Sequence, residues 1–560
     1  MQRVRLFLWL PAFRPKFLLF TGEPSSHLMY GTSSTNKCGN FAFIIFCFNY
    51  IFHIQVNLIM FNSIHRHMTQ LMKVMIPILI AQTSVVGMNF INTAMSGHAG
   101  ADDLAGVSVG AGLCYPPLAA SVGLLMAGTP MLAQLKGRKD RGGNIPMVVR
   151  TGLQLGLIVG LTFICSYFLF INSLMASLNL TPSVEHVARG YLLFMMGAVF
   201  FEALVIPLRA LTDTIGNTAI SMKLFLLAPP INACFNYLLI YGHFGLPKLG
   251  GIGSGIASML TYLVLFLLFF RIVWTDSRFQ GRKIFSGVHT KKKIWKEYLS
   301  LGLPNGLGIF METSLFGLII IFIAKFGTTV LAAYQVANNF SSLAYMFPLS
   351  CSMALTILVG TSVGAEEYAR ARKFRFAGLL LSLTGSTLTF LITIFLRKQI
   401  ASIYSGDIDV ITTAGHFLIY AAIWQIFDAV AAPIQGILRG YKDAQVPFLL
   451  MLIAYWGICF PSSLFLDKVF ENGAFSYWQG MDFGVFCSAV LVTLRLIYIE
   501  KKFRRIEQET LNDPDNESTW PRNNLQAALV QDVLASHKNA PLHKISRHRT
   551  NKPPEYHEVP

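Results

Sequence analysis

Residues 77–100 read PILIAQTSVVGMNFINTAMSGHAG, and residues 304–327 read PNGLGIFMETSLFGLIIIFIAKFG. Each stretch opens on a proline, closes on a glycine, and is long and apolar enough for the roughly 20 residues that cross a bilayer as a helix. The correspondence runs without a gap from Pro77–Gly137 onto Pro304–Gly364 at a constant offset of 227, with nine of 61 positions identical. The identities include Gly100/Gly327, Leu104/Leu331, Ala105/Ala332, Met126-Ala127/Met353-Ala354 and Thr129/Thr356. Farther on, Leu208-Arg209-Ala-Leu-Thr-Asp213 is echoed by Leu438-Arg439-Gly-Tyr-Lys-Asp443 at an offset of 230. An ungapped register that keeps Pro on Pro and Gly on Gly describes two homologous halves.

The rest of the chain fits that reading. Of 560 residues, 53% are hydrophobic and only 13% charged, against about 25% charged in an average soluble domain. That balance excludes a disordered or collagen-like chain, and it leaves too little polar surface to cover an ordinary soluble enzyme. Twelve apolar spans are expected near 72–96, 104–132, 147–172, 187–209, 218–241, 250–274, 298–323, 329–358, 376–396, 410–435, 446–466 and 479–499. Six is an even number, so both halves enter the membrane from the same side, as a parallel repeat whose axis lies along the membrane normal. The expected fold is all-α: a polytopic membrane protein with twelve transmembrane helices in two pseudo-symmetric six-helix lobes. The segments are an N-terminal extension at 1–67, an N-lobe at 68–270, a basic linker at 271–297, a C-lobe at 298–500 and a polar, disordered tail at 501–560. Small-residue spacing such as Gly152-xxx-Gly156-xxx-Gly160 reads as close helix packing.

The connecting segments alternate in charge. Lys136, Arg138, Lys139 and Arg141, then Arg271 to Lys296, then Arg370 to Arg375, then Arg439 with Lys442, and finally Lys501 to Arg505 all fall on one side. The positive-inside rule makes that side cytoplasmic, with both core termini inside. The net charge of +17 is thereby accounted for, and no nucleic-acid partner is expected. The run 40–61 is apolar enough to span, but spanning would force Arg3, Arg5, Arg14 and Lys16 outside. The extension is therefore expected to be optional or a mis-called start, with initiation near Met60 or Met68.

No pair of the eight cysteines has metal-ligand spacing, and no nucleotide-binding, serine-hydrolase or zinc-protease motif occurs. No enzyme, cofactor or resident metal is expected. Two lobes about a central cavity suit alternating access.

Carboxylates inside spans are expensive, and so are candidates for function. Three stand out: Glu202, Glu312 and Asp428, the other acids falling at helix ends or in loops. Glu312 and Asp428 lie at similar depth in the second half, where two facing carboxylates cannot both stay ionised cheaply. One takes a proton, or both share a cation such as Na⁺, with Thr313 and Ser314 as further oxygens. The plainer alternative is that each acid bonds a neighbouring helix. Glu312 has Val85 at its equivalent in the first half, so the lobes are chemically unequal. Glu202 is a second proton site, or else an acid neutralised by a local hydrogen bond or lying near the extracellular mouth. Asn232 and Asn236 share a face of the fifth span, and Asn89 and Asn92 stand three apart in the first; such amides act as packing glue or line a wet cavity. Arg209 with Asp213 and Arg439 with Asp443 read as a clasp or gate at the cytoplasmic ends of the fourth and tenth spans.

Five stretches together resemble the multidrug and toxic compound extrusion (MATE) family in its NorM-like branch: Pro77-Ile-Leu-Ile-Ala with Asn92-Thr-Ala-Met-Ser-Gly97; Asn339-Phe-Ser-Ser-Leu with Pro348; Glu312-Thr-Ser-Leu-Phe316; Gln425-Ile-Phe-Asp428 with Gly436 to Asp443; and Tyr237 to Gly242 with Leu249 to Gly253. The resemblance covers about residues 70–500. It implies a monomeric, twelve-helix antiporter of the bacterial inner membrane that expels amphipathic, often cationic compounds in exchange for Na⁺ or H⁺. By position, Glu312 and Asp428 match the family's C-lobe cation-site acids. Asn92 stands where the family usually has Asp, with Asn232 and Asn236 matching the amides around it. Trp424 stands where a Tyr is frequent and offers a ring face rather than a hydroxyl. A lipid or lipid-linked oligosaccharide flippase is the main alternative, although few Lys or Arg fall inside spans. A channel or a non-transporting sensor is the other.

Overall fold

The computed structural model describes residues 36–140, 143–280, 284–285 and 290–512, and of residues 36–63 and 509–512 the backbone alone. Most of the extension at 1–67 and most of the tail at 501–560 thus lie outside the described residues or are described by backbone only. Twelve helices are long and apolar enough to cross a membrane, and no strand occurs among the described residues. They are α1 (Asn36–Ala99, its span Ile64–Ala99), α2 (Ala101–Gly137, with a turn at Met126–Ala127), α3 (Asn144–Leu178), α4 (Pro182–Thr214), α5 (Thr218–Tyr241) and α6 (Gly251–Thr275). The second half follows as α7 (Lys292–Phe326), α8 (Thr328–Gly364), α9 (Tyr368–Tyr404), α10 (Ile408–Gly440), α11 (Gln445–Phe470) and α12 (Phe475–Asn512).

Several helices overrun the apolar stretches that announce them. The basic residues Lys292, Lys293 and Lys296 belong to the first turns of α7, and Lys501 to Arg505 to the last turns of α12. Long cationic side chains reach water from a helix that is still covering apolar neighbours, so charge marks the membrane boundary and not the helix end. Between α6 and α7, Phe279 and Ile284 bury in the N-lobe core, and Arg150 Nε donates to the Ile284 carbonyl at 2.6 Å. What can be seen of this linker is packed onto the N-lobe.

Each lobe's first helix begins in the other lobe. Leu71, Met75 and Ile78 of α1 pack with Cys351, Leu355, Phe374, Ile437 and Leu496 of the C-lobe, whereas Ala81 and Met88 belong to the N-lobe core. Ile294, Tyr298 and Leu301 of α7 lie in the N-lobe core, whereas Leu315, Ile319 and Ile323 belong to the C-lobe. The crossovers fall at Pro77 and Pro304, the prolines inside these two helices. A proline removes one backbone hydrogen bond and makes a bend cheap at that point. The repeated proline therefore marks where each helix changes lobes.

The hydrogen bonds that join the lobes gather at the end bearing the basic loops. Tyr298 Oη donates to the Leu125 carbonyl at 2.6 Å, Asn305 Nδ2 to the Gly123 carbonyl at 2.6 Å, and Gln134 Nε2 to the Gly440 carbonyl at 2.9 Å. Glycines let the backbones approach there. A Cβ on Gly302 would meet the Leu124 carbonyl oxygen at 2.6 Å, and one on Gly306 the Ala120 carbonyl oxygen at 2.6 Å. Gly137 and Gly364 each face the other lobe's backbone in the same way.

Candidate functional site

Glu312 sits midway along α7, where the helix has already crossed into the C-lobe. Tyr455 Oη of α11 donates to Glu312 Oε1 at 3.1 Å, and Trp456 Nε1 donates to the carbonyl of Met311 at 3.1 Å. Both donors lie in a π-helical stretch, Ile453–Cys459. One wide turn rotates two successive aromatic residues toward α7, the kind of local irregularity that recurs at functional sites. Asp428 is buried on α10, close enough to Glu312 for the two charges to interact, and Tyr345 of α8 lies within the same range of both. Thr313 turns its hydroxyl proton back to the Ile309 carbonyl of its own helix at 2.8 Å. Trp424 is buried and meets Phe316 edge-on, with ring centroids 5.7 Å apart. Phenolic oxygens near Glu312 thus come from α8 and α11, with Tyr115 of α2 in the same electrostatic range, while Trp424 packs into the core.

A cavity of about 70 Å³ lies beside Glu312, lined among others by Asn305, Tyr345, Ser352 and Arg439. At about 10–15 Å³ for each water position, that space takes an ion with a few waters. Drug-sized ligands need about 300–1,000 Å³. Arg439 reaches in from the end of α10: Nη2 donates to Ser352 Oγ at 2.8 Å and Nη1 to Asn305 Oδ1 at 3.4 Å. Asn305 is the residue whose amide holds the N-lobe carbonyl of Gly123. The guanidinium thus lines the same cavity as the acid and is joined through Asn305 to the seam between lobes.

The expected Arg439–Asp443 pair is not formed. Asp443 instead takes Arg495 Nε of α12 at 2.7 Å. An i,i+4 pair needs helix through both residues, but α10 ends at Gly440 and Lys442 adopts φ 61°, which turns Asp443 off the helix face. In the first half α4 stays helical to Thr214, and Arg209 Nε lies 3.4 Å from Asp213 Oδ2. Arg209 also donates to Gln82 Oε1 of α1 at 2.8 Å. In each lobe, then, the arginine of the fourth helix grips the first helix, and the acid differs.

In the N-lobe the expected amides do meet. Asn236 Nδ2 donates to Asn92 Oδ1 at 2.8 Å and to Asn232 Oδ1 at 2.9 Å, and Asn92 Nδ2 donates to Ser258 Oγ at 2.9 Å. Ser258 passes its own proton to the Ser254 carbonyl at 2.9 Å. These side chains are buried, and Asn89 is exposed, apart from them. Glu202 lies outside the chain of amides, accepting from Tyr262 Oη at 3.3 Å. The network needs a donor at position 92, which an ionised acid cannot supply. Asn92→Asp is expected to lower the melting temperature relative to wild type more at about pH 8 than at about pH 5, where a protonated acid can donate again. The penalty of the unmade bond is about 1–3 kcal/mol, and a detergent-solubilised thermal melt at the two pH values measures it.

The MatE family model matches the chain twice, over residues 77–238 and 304–465. The two matches begin 227 residues apart, which is the offset of the internal repeat. The chain belongs to the MATE family. It is 38% identical over 443 residues to a protein of Bacillus cereus named "Probable multidrug resistance protein NorM", covering 79% of this chain and 97% of the relative. A protein of the same name in Halalkalibacterium halodurans is 37% identical over 440 residues, covering 78% and 96%. Among solved structures, a eukaryotic MATE transporter, AtDTX14, superposes with a TM-score of 0.71 at 18% identity, covering 80% of this chain and 99% of that one. A MATE family transporter described in an outward-facing conformation gives 0.72 at 16%, covering 78% and 97%. Members of the family are transporters, not enzymes. This MATE chain is therefore a multi-pass membrane transporter, and no cofactor is needed for such a role.

Three residues of the C-lobe site, Tyr345, Tyr455 and Trp456, escape a search for charge in apolar spans. The phenols read as ordinary aromatic residues of their helices, and no local pattern announces the π-turn. A search for hydroxyls at the depth of Glu312 on the other C-lobe helices would have raised Tyr345 and Tyr455.

Proposed function

We propose that this MATE transporter is a secondary multidrug efflux antiporter of the bacterial inner membrane, with the basic end cytoplasmic, and that Na⁺ or H⁺ couples through Glu312 and Asp428. The carrying observation is the chemical inequality of the lobes. Two interacting carboxylates with phenolic neighbours occupy the C-lobe, whereas Val85 stands at the N-lobe equivalent of Glu312 and the buried polar cluster of the N-lobe is a chain of neutral amides. The curated relatives are named for multidrug resistance, and a buried pair of acids suits drugs that are amphipathic and cationic.

Cation binding neutralises the acids, weakens their hold on a cationic drug and favours its release outward. The same event changes the pull on Arg439, which holds Asn305 and through it the seam with the N-lobe. Opening of that seam exposes the cavity to the cytoplasm and lets the cation leave. Linkage is reciprocal, so drug binding weakens cation binding by the same factor. Proteoliposomes loaded with a cationic dye test the reading: extrusion must follow an imposed Na⁺ or H⁺ gradient, and the gradient that drives it names the ion. Dye flux indifferent to both gradients sinks the antiporter.

A further inference from the structure

A fourth carboxylate lies inside the membrane. Asp482 stands three residues into the stretch that reads as the twelfth span, but α12 begins at Phe475, which carries Asp482 two turns inward and leaves it buried. Near it are polar atoms with no hydrogen-bond partner: Asp482 Oδ1 itself, Trp478 Nε1 and Tyr334 Oη, all on buried side chains. Buried polar atoms without partners are rare in native folds and ask for an explanation one by one.

They belong to one place. Trp478 and Asp482 are four apart and share a face of α12. The Trp478 and Tyr334 rings lie 6.0 Å apart, and Tyr334 and Asp482 are each within electrostatic range of Cys459 on α11. α10 and α12 run parallel: Gln479 Nε2 donates to Tyr420 Oη at 3.0 Å, and Phe427 meets Phe486 at 5.2 Å. That register, 59 in both pairs, sets Asp482 level with Ile423 and about five residues from Asp428 along α10. At 1.5 Å per residue the separation is on the order of 7 Å, toward the end away from the basic loops.

The internal symmetry gives the place a meaning. Counted from the first residues of α6 and α12, Asp482 occupies the eighth position, as Ser258 does. Cys459 stands 227 residues after Asn232. The node that closes the neutral amide chain in the N-lobe is thus occupied by an acid in the C-lobe. The titratable groups that these contacts place near it are Tyr334 from α8 and Cys459 from α11, with Tyr420 and Asp428 farther along α10. No Lys or Arg is among them.

We propose that Asp482 is a further proton-binding carboxylate of the C-lobe, one station outward of Asp428. Ionised, it accepts from Tyr334 or Trp478; protonated, it donates to the Tyr334 oxygen. The same neighbours therefore serve both states. The absence of cationic partners and the mixture of donors and acceptors favour a proton over Na⁺, which asks for oxygens alone.

The inference extends the coupling reading, and its test does not depend on transport. Purified transporter carrying Glu312→Gln and Asp428→Asn is titrated by infrared difference spectroscopy, with and without Asp482→Asn. A protonated-carboxyl band should persist in the double variant, disappear with Asp482→Asn and return, displaced, with Asp482→Glu. On unaltered protein, dicyclohexylcarbodiimide, which reacts with protonated carboxyls in apolar surroundings, should label Asp482 at low pH and lose it as pH rises, read by peptide mass spectrometry. Superimposable spectra with and without Asp482→Asn, or no pH-dependent label on Asp482, overturn the proposal. A surviving Asp482 signal beside gradient-independent dye flux would instead count against the antiporter alone.

Discussion

Glu312→Gln and Asp428→Asn are each expected to abolish gradient-driven efflux and to make drug binding indifferent to the coupling ion. The two acids interact across the α7–α10 contact, and neither is paired with Lys or Arg by an ion pair among the described residues. Such a pair binds its cation as a unit: the charge of one acid sets the affinity of the other. Removing either carboxylate therefore removes the pair's response, and the double variant should be no worse than the worse single one. That non-additivity separates a coupled pair from two independent structural acids. Each amide is nearly isosteric with its acid, and in Glu312→Gln the new side-chain carbonyl still accepts from Tyr455, so folding should survive. The expected effect on binding is the loss of a coupling factor of about 5–150-fold, the range of a typical 1–3 kcal/mol linkage. Dye affinity measured by fluorescence polarisation with and without Na⁺, and at two pH values, reads that factor directly. Variants that still extrude dye at wild-type rates would move the coupling elsewhere, with Glu202 and Asp482 the acids left inside the membrane.

The fold was legible because its two determinants are written in composition and in repetition. Apolar length placed twelve spans, and the repeat at 227 placed the lobes. The sites were legible where a polar residue stands out against an apolar span: Glu312, Asp428, Asn92, Asn232 and Asn236 all sit where depth and periodicity put them. Failures came at helix ends. Arg439 and Asp443 repeat Arg209 and Asp213 in sequence, but α10 stops at Gly440 and the second pair never forms. Asp482 looked terminal because hydropathy starts α12 four residues late; Phe475-Ser-Tyr-Trp is polar enough to read as a loop, yet it packs against α8 and α10. Tyr455 was hidden for a different reason. It follows Phe448 by seven residues and Met451 by four on the face that lines the cavity, but a phenol in an apolar span carries no charge to mark it.

Gly306→Leu is expected to drive the lobes apart at the basic end, and to do so far more than the same change at Gly317 on the same helix. A Cβ at Gly306 would lie 2.6 Å from the Ala120 carbonyl oxygen and 3.2 Å from the Leu124 nitrogen, both backbone atoms of α2 that no rotamer change can move. At Gly317 a Cβ meets nothing within 4 Å. The clash comes two residues past Pro304, where α7 passes from one lobe to the other, and one residue past Asn305, whose bond to Gly123 closes the seam. Relief comes most cheaply by bending at the proline, which carries the C-lobe part of α7 away from α2. Overpacking of this kind costs about 1–3 kcal/mol. Charged wholly to the closed state, it raises the open population by about 5–150-fold. Spin labels on Cys substituted for Arg138 and Glu367, exposed residues flanking the Gly137–Gly364 crossing, report the separation by pulsed electron resonance. A longer distance in Gly306→Leu, wild-type distances in Gly317→Leu, and loss of dye efflux only in the former are the expected set. Unchanged distances in Gly306→Leu would show that the contact between α2 and α7 does not move, and that any opening pivots somewhere other than Pro304.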